Sequence, residues 1–213
     1  MNWPIFTIII SLLVSCRENS YTRYTEGLKQ NIGASELTIN EVKDTILIDI
    51  YYSTPPSMGY DFKSSSTALM FMDTAKSLIK EKSIHHVNVY IHANKEVTEY
   101  KYPLADLTIY KSGMDVTTLF IQNLLHGQAE QNARYVDLDK ISLEELFNLN
   151  EVNEQMQSNL KINLVSYDGF SLHNSEPNVV EYRGNFQGEE ETIPFVFHYD
   201  KNLKRIFYFG INE

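Results

Sequence analysis

Apolar and polar residues alternate, or repeat at helical spacing, through most of the first half of the chain. Over residues 45–52, Ile46, Ile48 and Ile50 fall on one face, because successive side chains of a strand point to opposite sides. The same reasoning predicts strands over 45–52, 87–93 and 97–102, a helix over 64–82, and an optional further strand over 107–111. These segments predict a β-α-β-β unit in which one helix packs against one sheet.

Helix starts are indicated by polar residues that can cap them. Ser64–Ser66 would cap the helix over 64–82, and Asp115 would cap a second helix that ends near Leu125. Ser142 and Glu145 fit a capping box, in which each side chain bonds to the backbone N–H of the other residue. Two helices are therefore predicted in the middle of the chain.

After residue 158 only strand patterns remain. The predicted strands cover residues 161–167, 179–186, 192–199 and 205–211. In the last one, Phe207 and Phe209 share a face while Ile206 and Tyr208 occupy the other. A strand that is apolar on both sides is typical of a position inside a sheet, so we expect the last strand to be central.

The order of these elements predicts an α+β fold: an N-terminal β-α-β-β unit, two middle helices and a C-terminal antiparallel sheet. We divide the body into residues 41–157 and 158–213, which could also pack together as one domain. Residues 16–40 are rich in polar and charged side chains and predict a flexible tether. Tyr21 and Tyr24 could instead begin a short helix through Leu28.

The first residues predict export from the cytoplasm. Residues 3–14 are uncharged and mostly apolar, but shorter than the about 20 residues that a membrane-spanning helix needs. The sequence Leu13-Val14-Ser15-Cys16 resembles the lipobox of bacterial lipoproteins. The resemblance implies that residues 1–15 are a signal peptide, that Cys16 carries a covalent lipid, and that this lipid anchors the protein to a membrane of the cell envelope, outside the cytoplasm. The alternative is a buried N-terminal strand with an ordinary core cysteine.

The net charge argues against some partners, and the cysteine content excludes some kinds of site. The formal net charge is −10, so the protein repels phosphate backbones and we expect no nucleic-acid partner. The same charge gives no help in binding anionic lipids, so any membrane attachment must come from a covalent or hydrophobic anchor. Cys16 is the single cysteine, so an internal disulfide and a cysteine-based zinc site are excluded.

No motif points to catalysis, a metal or a cofactor. Among six histidines there is no His-x-x-x-His pair, and His86 and His92 would lie about 20 Å apart on one strand. No Gly-x-Ser-x-Gly is present, and Ser64–Ser66 are better explained as a helix cap than as nucleophiles. We therefore predict no catalytic residue, no metal site and no cofactor.

One candidate binding patch lies on the predicted hairpin. Tyr90 and His92 point away from the inward face of one strand, and Tyr100 and Tyr102 share a face of the other. If these faces coincide, the four side chains form an aromatic patch of the kind that is enriched at protein interfaces. The alternative is that the later helices cover this face as a second core.

The sequence thus favours a membrane-tethered, non-enzymatic accessory or binding module with an unknown ligand, for which toxin immunity is a special case. The alternative is an envelope hydrolase whose site is assembled from separate segments. A cleft with converging His, Asp or Glu side chains of shifted pKa would distinguish the two.

Overall fold

Helices lie against two four-stranded sheets in the computed structural model, which describes residues 21–54, 56, 59–162, 164–172, 176–189 and 191–211. The helices are α1 (Thr22–Ile32), α2 (Tyr60–Thr74), α3 (Lys76–Glu81), α4 (Leu104–Leu125) and α5 (Leu143–Leu160), with a 3-10 helix at Ala129–Arg134. The strands are β1 (Glu36–Val42), β2 (Thr45–Tyr51), β3 (His86–Ala93), β4 (Glu96–Pro103), β5 (Leu164–Leu172), β6 (Val179–Gln187), β7 (Thr192–Asp200) and β8 (Arg205–Ile211). The α+β class predicted from the sequence is confirmed.

The N-terminal sheet has the order β1-β2-β3-β4. β2 and β3 are parallel, with α2 and α3 forming the crossover between them, and the other two pairs are antiparallel. Ile46, Ile48 and Ile50 are fully buried, as the alternation predicts. The β-α-β-β unit is therefore present, with β1 as an additional edge strand.

The prediction of a flexible tether as far as residue 40 is wrong for the described part of that segment. Tyr24, Leu28 and Ile32 follow each other at intervals of four, so α1 presents one apolar stripe that is buried. Leu37 and Ile39 alternate with polar residues and place β1 beside β2. The alternative of a short helix beginning at Tyr21 and Tyr24 therefore agrees with α1, whereas β1 was not predicted. Residues 16–20, including Cys16, lie outside the described residues.

Two helix starts also differ from the prediction. α2 begins at Tyr60, so Ser64 and Ser65 lie inside the helix and are fully buried. α4 begins directly after Pro103 and includes both the optional strand 107–111 and Asp115, so neither that strand nor that cap exists. The apolar residues of 107–111 fit a helix as well as a strand, and helical packing decides between them. The capping box at Ser142 is confirmed, since both of its hydrogen bonds are present.

The C-terminal sheet is antiparallel throughout, with the order β5-β6-β7-β8. β8 is therefore an edge strand, and the prediction that it is central is wrong. Its outer edge is partly covered, because Ile206 donates its N–H to the carbonyl of Tyr135 and accepts from the N–H of Asp137. On its faces, Phe209 packs on Phe197. A covered edge and a packed face explain the apolar sequence without a central position.

Helix α2 links the two sheets, because it contacts both β3 and β5. The Ser65 hydroxyl accepts a hydrogen bond from the Phe170 N–H (2.9 Å) and lies 2.6 Å from the Phe170 carbonyl, to which it can donate. Next to Phe170, Gly169 has a φ of +140°, and a Cβ there would lie 2.9 Å from Ser65 Oγ. Glycine therefore allows β5 to approach the backbone of α2 closely.

Candidate functional site

The two faces of the N-terminal sheet have different surroundings. One face packs against the helices, while the side chains of the other are all half-buried or exposed. We call this second surface the open face. It comprises Leu47, Asp49 and Tyr51 of β2, Asn88, Tyr90 and His92 of β3, and Val97, Glu99 and Lys101 of β4.

On the open face, His92 lies between Tyr51 of β2 and Val97 of β4, with which it is paired. Its Nε2 lies 2.8 Å from Asp49 Oδ1. Its ring stacks on Tyr51, with centroids 4.2 Å apart and an angle of 14° between the planes. Tyr51 keeps 36% of its surface exposed. The pair therefore forms an aromatic platform in which the imidazole orientation is fixed by a carboxylate.

Glu99 of β4 is the common partner of three neighbouring polar side chains on the open face. The Tyr90 hydroxyl donates to Glu99 at 2.6 Å, the Asn88 amide donates at 3.4 Å, and the Lys101 ammonium lies 3.1 Å away. The bond to Glu99 raises the pKa of Tyr90, and the same bond holds the pKa of Glu99 below its usual value. These polar groups are thus oriented by one another before any partner arrives.

A pocket of about 320 Å³ lies at one end of the open face. Tyr51, Tyr52 and His92 line it together with the β3–β4 turn and Val97, which is 58% exposed. Burial raises the pKa of Tyr52 to about 12, so its phenol stays neutral. A pocket with aromatic and aliphatic walls beside fixed polar groups suits an apolar side chain of a partner.

The predicted patch of four residues does not form. Tyr90 and His92 lie on the open face, but Tyr100 pairs with Val89 and Tyr102 with Val87 on the opposite face. Tyr102 is only 7% exposed and its hydroxyl lies 2.6 Å from that of Ser64. The expectation that the two faces coincide is therefore wrong.

The length of the hairpin turn explains this error. The sequence interpretation assigned three residues, 94–96, to the turn, and that spacing would pair Tyr90 with Tyr100. In the structure the turn has two residues, Asn94 and Lys95, both with positive φ, so Tyr90 pairs with Glu99. A register shift of one residue moves each side chain of β4 to the other face. Glu99 and Val97 were missed for this reason.

The open face contains part of a catalytic constellation but not all of it. His92 and Asp49 resemble the base and its orienting carboxylate in a hydrolase triad. A triad also needs a hydroxyl nucleophile on the other ring nitrogen, and the ring of His92 makes no such bond to any residue that the structure describes. Ser64 and Ser65 are buried in the core and bond to Tyr102 and Phe170.

No group of three or more His, Cys, Asp or Glu side chains in the described part of the chain could hold a metal ion. None of the helices described is both long and apolar enough to cross a membrane. Comparison with known proteins identifies no family, since no family model, no curated protein and no solved structure matches the chain.

Proposed function

We propose that this protein is a lipid-anchored, non-enzymatic accessory protein of the bacterial cell envelope, which binds a protein partner with a basic surface through its open face. The lipobox-like sequence that ends in Cys16 supports the anchor and the location outside the cytoplasm. The observation that supports binding is the open face itself, an aromatic and polar sheet surface that no described helix covers.

The chemistry of the open face suits protein recognition. Tyrosine is enriched at interfaces because it offers a large contact area together with a hydrogen-bonding group. Tyr51 and Tyr90 are already fixed, by stacking on His92 and by the bond to Glu99, so a partner does not have to order them on binding. The pocket beside Tyr51 provides a place for one apolar anchor residue of the partner.

The charge of this region favours a basic partner. Asp49 and Glu99 lie on the open face, and Glu36 of β1 pairs with Tyr51 at its margin. Glu96 lines the pocket at the end of this face, and the ammonium groups of the region are those of Lys95 and Lys101. Neither Glu36 nor Glu96 has a Lys or Arg at ion-pair distance among the residues described. With a net charge of −10, the whole chain attracts the same kind of partner over longer distances. A basic secreted toxin would be one such partner.

Site-specific photocrosslinking in cells tests this surface. A photoreactive phenylalanine analogue replaces Tyr51 in the full chain, and Phe147 of α5, which is 55% exposed, is the matched control position. We expect a discrete adduct from position 51 that is absent from position 147. The adduct identifies the partner, which is then purified and titrated with the full chain.

The titration decides whether the contact is the proposed one. We expect affinity to fall as salt concentration rises, and to fall further when Glu36→Gln and Glu96→Gln are combined. Equal adducts from both positions would contradict the proposal. So would a purified partner whose affinity is the same for the wild type and for the Glu36→Gln/Glu96→Gln variant.

A further inference from the structure

A second cavity, of about 360 Å³, lies on the helix-covered side of the N-terminal sheet. It is bordered by the start of α2, by β4 and by the end of β5, and Asp61, Tyr100, Tyr102 and Phe170 are among its lining residues. Tyr100 and Tyr102 face away from the open face, and of the described lining residues only Lys101 also belongs to that face. Its volume falls in the range of small-molecule sites.

The walls of the cavity are aromatic and fixed. Tyr102 and Phe170 meet edge to face with centroids 5.9 Å apart, and Tyr110 packs behind Phe170 at 4.6 Å. The hydroxyl of Tyr102 lies 2.6 Å from that of Ser64. Burial raises the pKa of both Tyr100 and Tyr102, and the negative charge of Asp61 raises it further. Both phenols are therefore neutral at physiological pH.

Among the described residues that line the cavity, Asp61 is the one with an acidic side chain. It lies in the first turn of α2, where the helix dipole favours a negative charge. The residue is only partly exposed, and its carboxylate makes no ion pair or hydrogen bond with the described residues. Lys101 also lines the cavity, but its ammonium group lies 3.1 Å from Glu99, on the open face. Within the part of the chain that the structure describes, no cation therefore pairs with the carboxylate of Asp61.

We propose that this cavity binds an organic cation, an ammonium or guanidinium group on a short alkyl chain, with Asp61 as its counterion. Aromatic rings attract such cations through their negatively charged faces, and they bind the alkyl chain by apolar contact. A free amine and a basic side chain of a polypeptide share this chemistry. The inference does not depend on the proposed function, because Asp61, Tyr100 and Tyr102, which carry it, lie outside the open face.

Calorimetric titration of the purified full chain in detergent tests the cavity with defined probes. Butylguanidinium and butylammonium should bind saturably, whereas butanol, which has the same alkyl chain without charge, should not. In Asp61→Asn we expect binding to weaken by about tenfold or more, as for the loss of a charge pair. Asp106→Asn removes the corresponding first-turn carboxylate of α4, which lies outside the cavity, and should bind like the wild type.

A second variant keeps the test valid if Asp61→Asn fails to fold. Tyr100→Leu keeps an apolar wall and removes one ring, so it should also weaken both cationic probes. Putrescine and a glycine-flanked arginine peptide then distinguish the sources: tighter binding of putrescine assigns a free amine, and tighter binding of the peptide assigns a basic side chain. Absence of saturable binding by every cation would overturn the proposal, as would equal binding of butanol or an unchanged affinity in folded Asp61→Asn.

Discussion

At the scale of single residues, Gly113 has a structural role that its place inside a helix does not suggest. α4 passes so close to β6 at this point that the Tyr182 hydroxyl donates a hydrogen bond of 2.7 Å to the carbonyl of Tyr110. A Cβ at position 113 would clash with that hydroxyl and would lie 3.0 Å from a ring atom of Tyr199. The absence of a side chain therefore allows the helix to pack on the C-terminal sheet.

We expect Gly113→Ala to lower the free energy of unfolding by about 1–3 kcal/mol, because the added methyl group overpacks the contact with Tyr182. Gly27, inside α1, provides a matched control, since a Cβ there would meet no atom within 4 Å. Gly27→Ala should raise stability by up to about 1 kcal/mol through helix propensity. Urea denaturation of both variants measures the difference. A Gly113→Ala protein as stable as the wild type would contradict this account.

Asp168 links a single side chain to the pH dependence of stability. Burial raises the pKa of its carboxyl, although Asn185 donates hydrogen bonds to both oxygens at 3.1 Å. Because the pKa is raised in the folded chain, the protonated carboxyl stabilises the fold, and this contribution is fully present below the pKa that the group has in the unfolded chain. That contribution is lost as pH rises through the folded-state value.

Asp168→Asn removes this ionisation and retains a side-chain oxygen that can accept from Asn185. The wild type loses this contribution as pH rises, whereas the variant has no carboxyl to ionise. We therefore expect the unfolding free energy of the variant to increase relative to that of the wild type between about pH 3 and about pH 7. Urea denaturation at several pH values across this range measures it. A difference that does not change with pH would show that the carboxyl titrates alike in the folded and unfolded chains.

At the scale of the elements, the junction of α2 with β5 depends on one hydroxyl. Ser65 is fully buried and is bonded to both the N–H and the carbonyl of Phe170. Its removal leaves both backbone groups without a partner in the core. We expect Ser65→Ala to lower the free energy of unfolding by at least about 1–3 kcal/mol, the cost of an unsatisfied buried polar group.

The neighbouring serine is the control for this prediction. Ser66 is half-buried, and its hydroxyl lies 3.8 Å from the sulfur of Met70. Ser66→Ala should therefore change stability by less than about 0.5 kcal/mol. Thermal melts and urea denaturation of the two variants give the comparison. Equal effects of the two substitutions would mean that the bonds to Phe170 do not hold the junction.

The elements that could be predicted from the sequence are those whose own residues determine them. The strand at 205–211 and the helix start at Ser142 need only local alternation and a local capping box. The start of α2 could not be predicted, because its serines are stabilised by Tyr102 and Phe170, which are distant in sequence. β8 was placed at the wrong point in the sheet since the segment that covers its edge, residues 135–137, shows no strand pattern.

At the scale of the whole molecule, the candidate site was only half predictable. Tyr90 and His92 were identified from the alternation of β3, which is a local property. Which side chains lie beside them is decided by the register of β3 with β2 and with β4, and a local pattern does not give that register. Asp49, for example, lies on a parallel strand about 40 residues away in sequence. The cavity at Asp61 depends on the approach of β5 to α2, which no sequence pattern indicated.

The proposed anchor determines where the open face acts, because a lipid on Cys16 would hold the folded body at a membrane surface outside the cytoplasm. Nothing in the described body supplies a membrane-spanning helix. We propose that the first sixteen residues, where Leu13-Val14-Ser15 precede the cysteine, provide the membrane attachment. The function proposed for the open face requires that this short segment is processed as a lipoprotein signal.

Labelling of expressing cells with radioactive palmitate, followed by isolation of the protein from the membrane fraction, tests this central claim most directly. We expect the wild-type chain to carry the label in that fraction. Ser15→Ala, which keeps a small residue before Cys16, should also be labelled, whereas Cys16→Ser should not, because serine lacks the thiol that accepts the lipid. An unlabelled wild-type chain, or a Cys16→Ser chain that retains the label, would contradict the account.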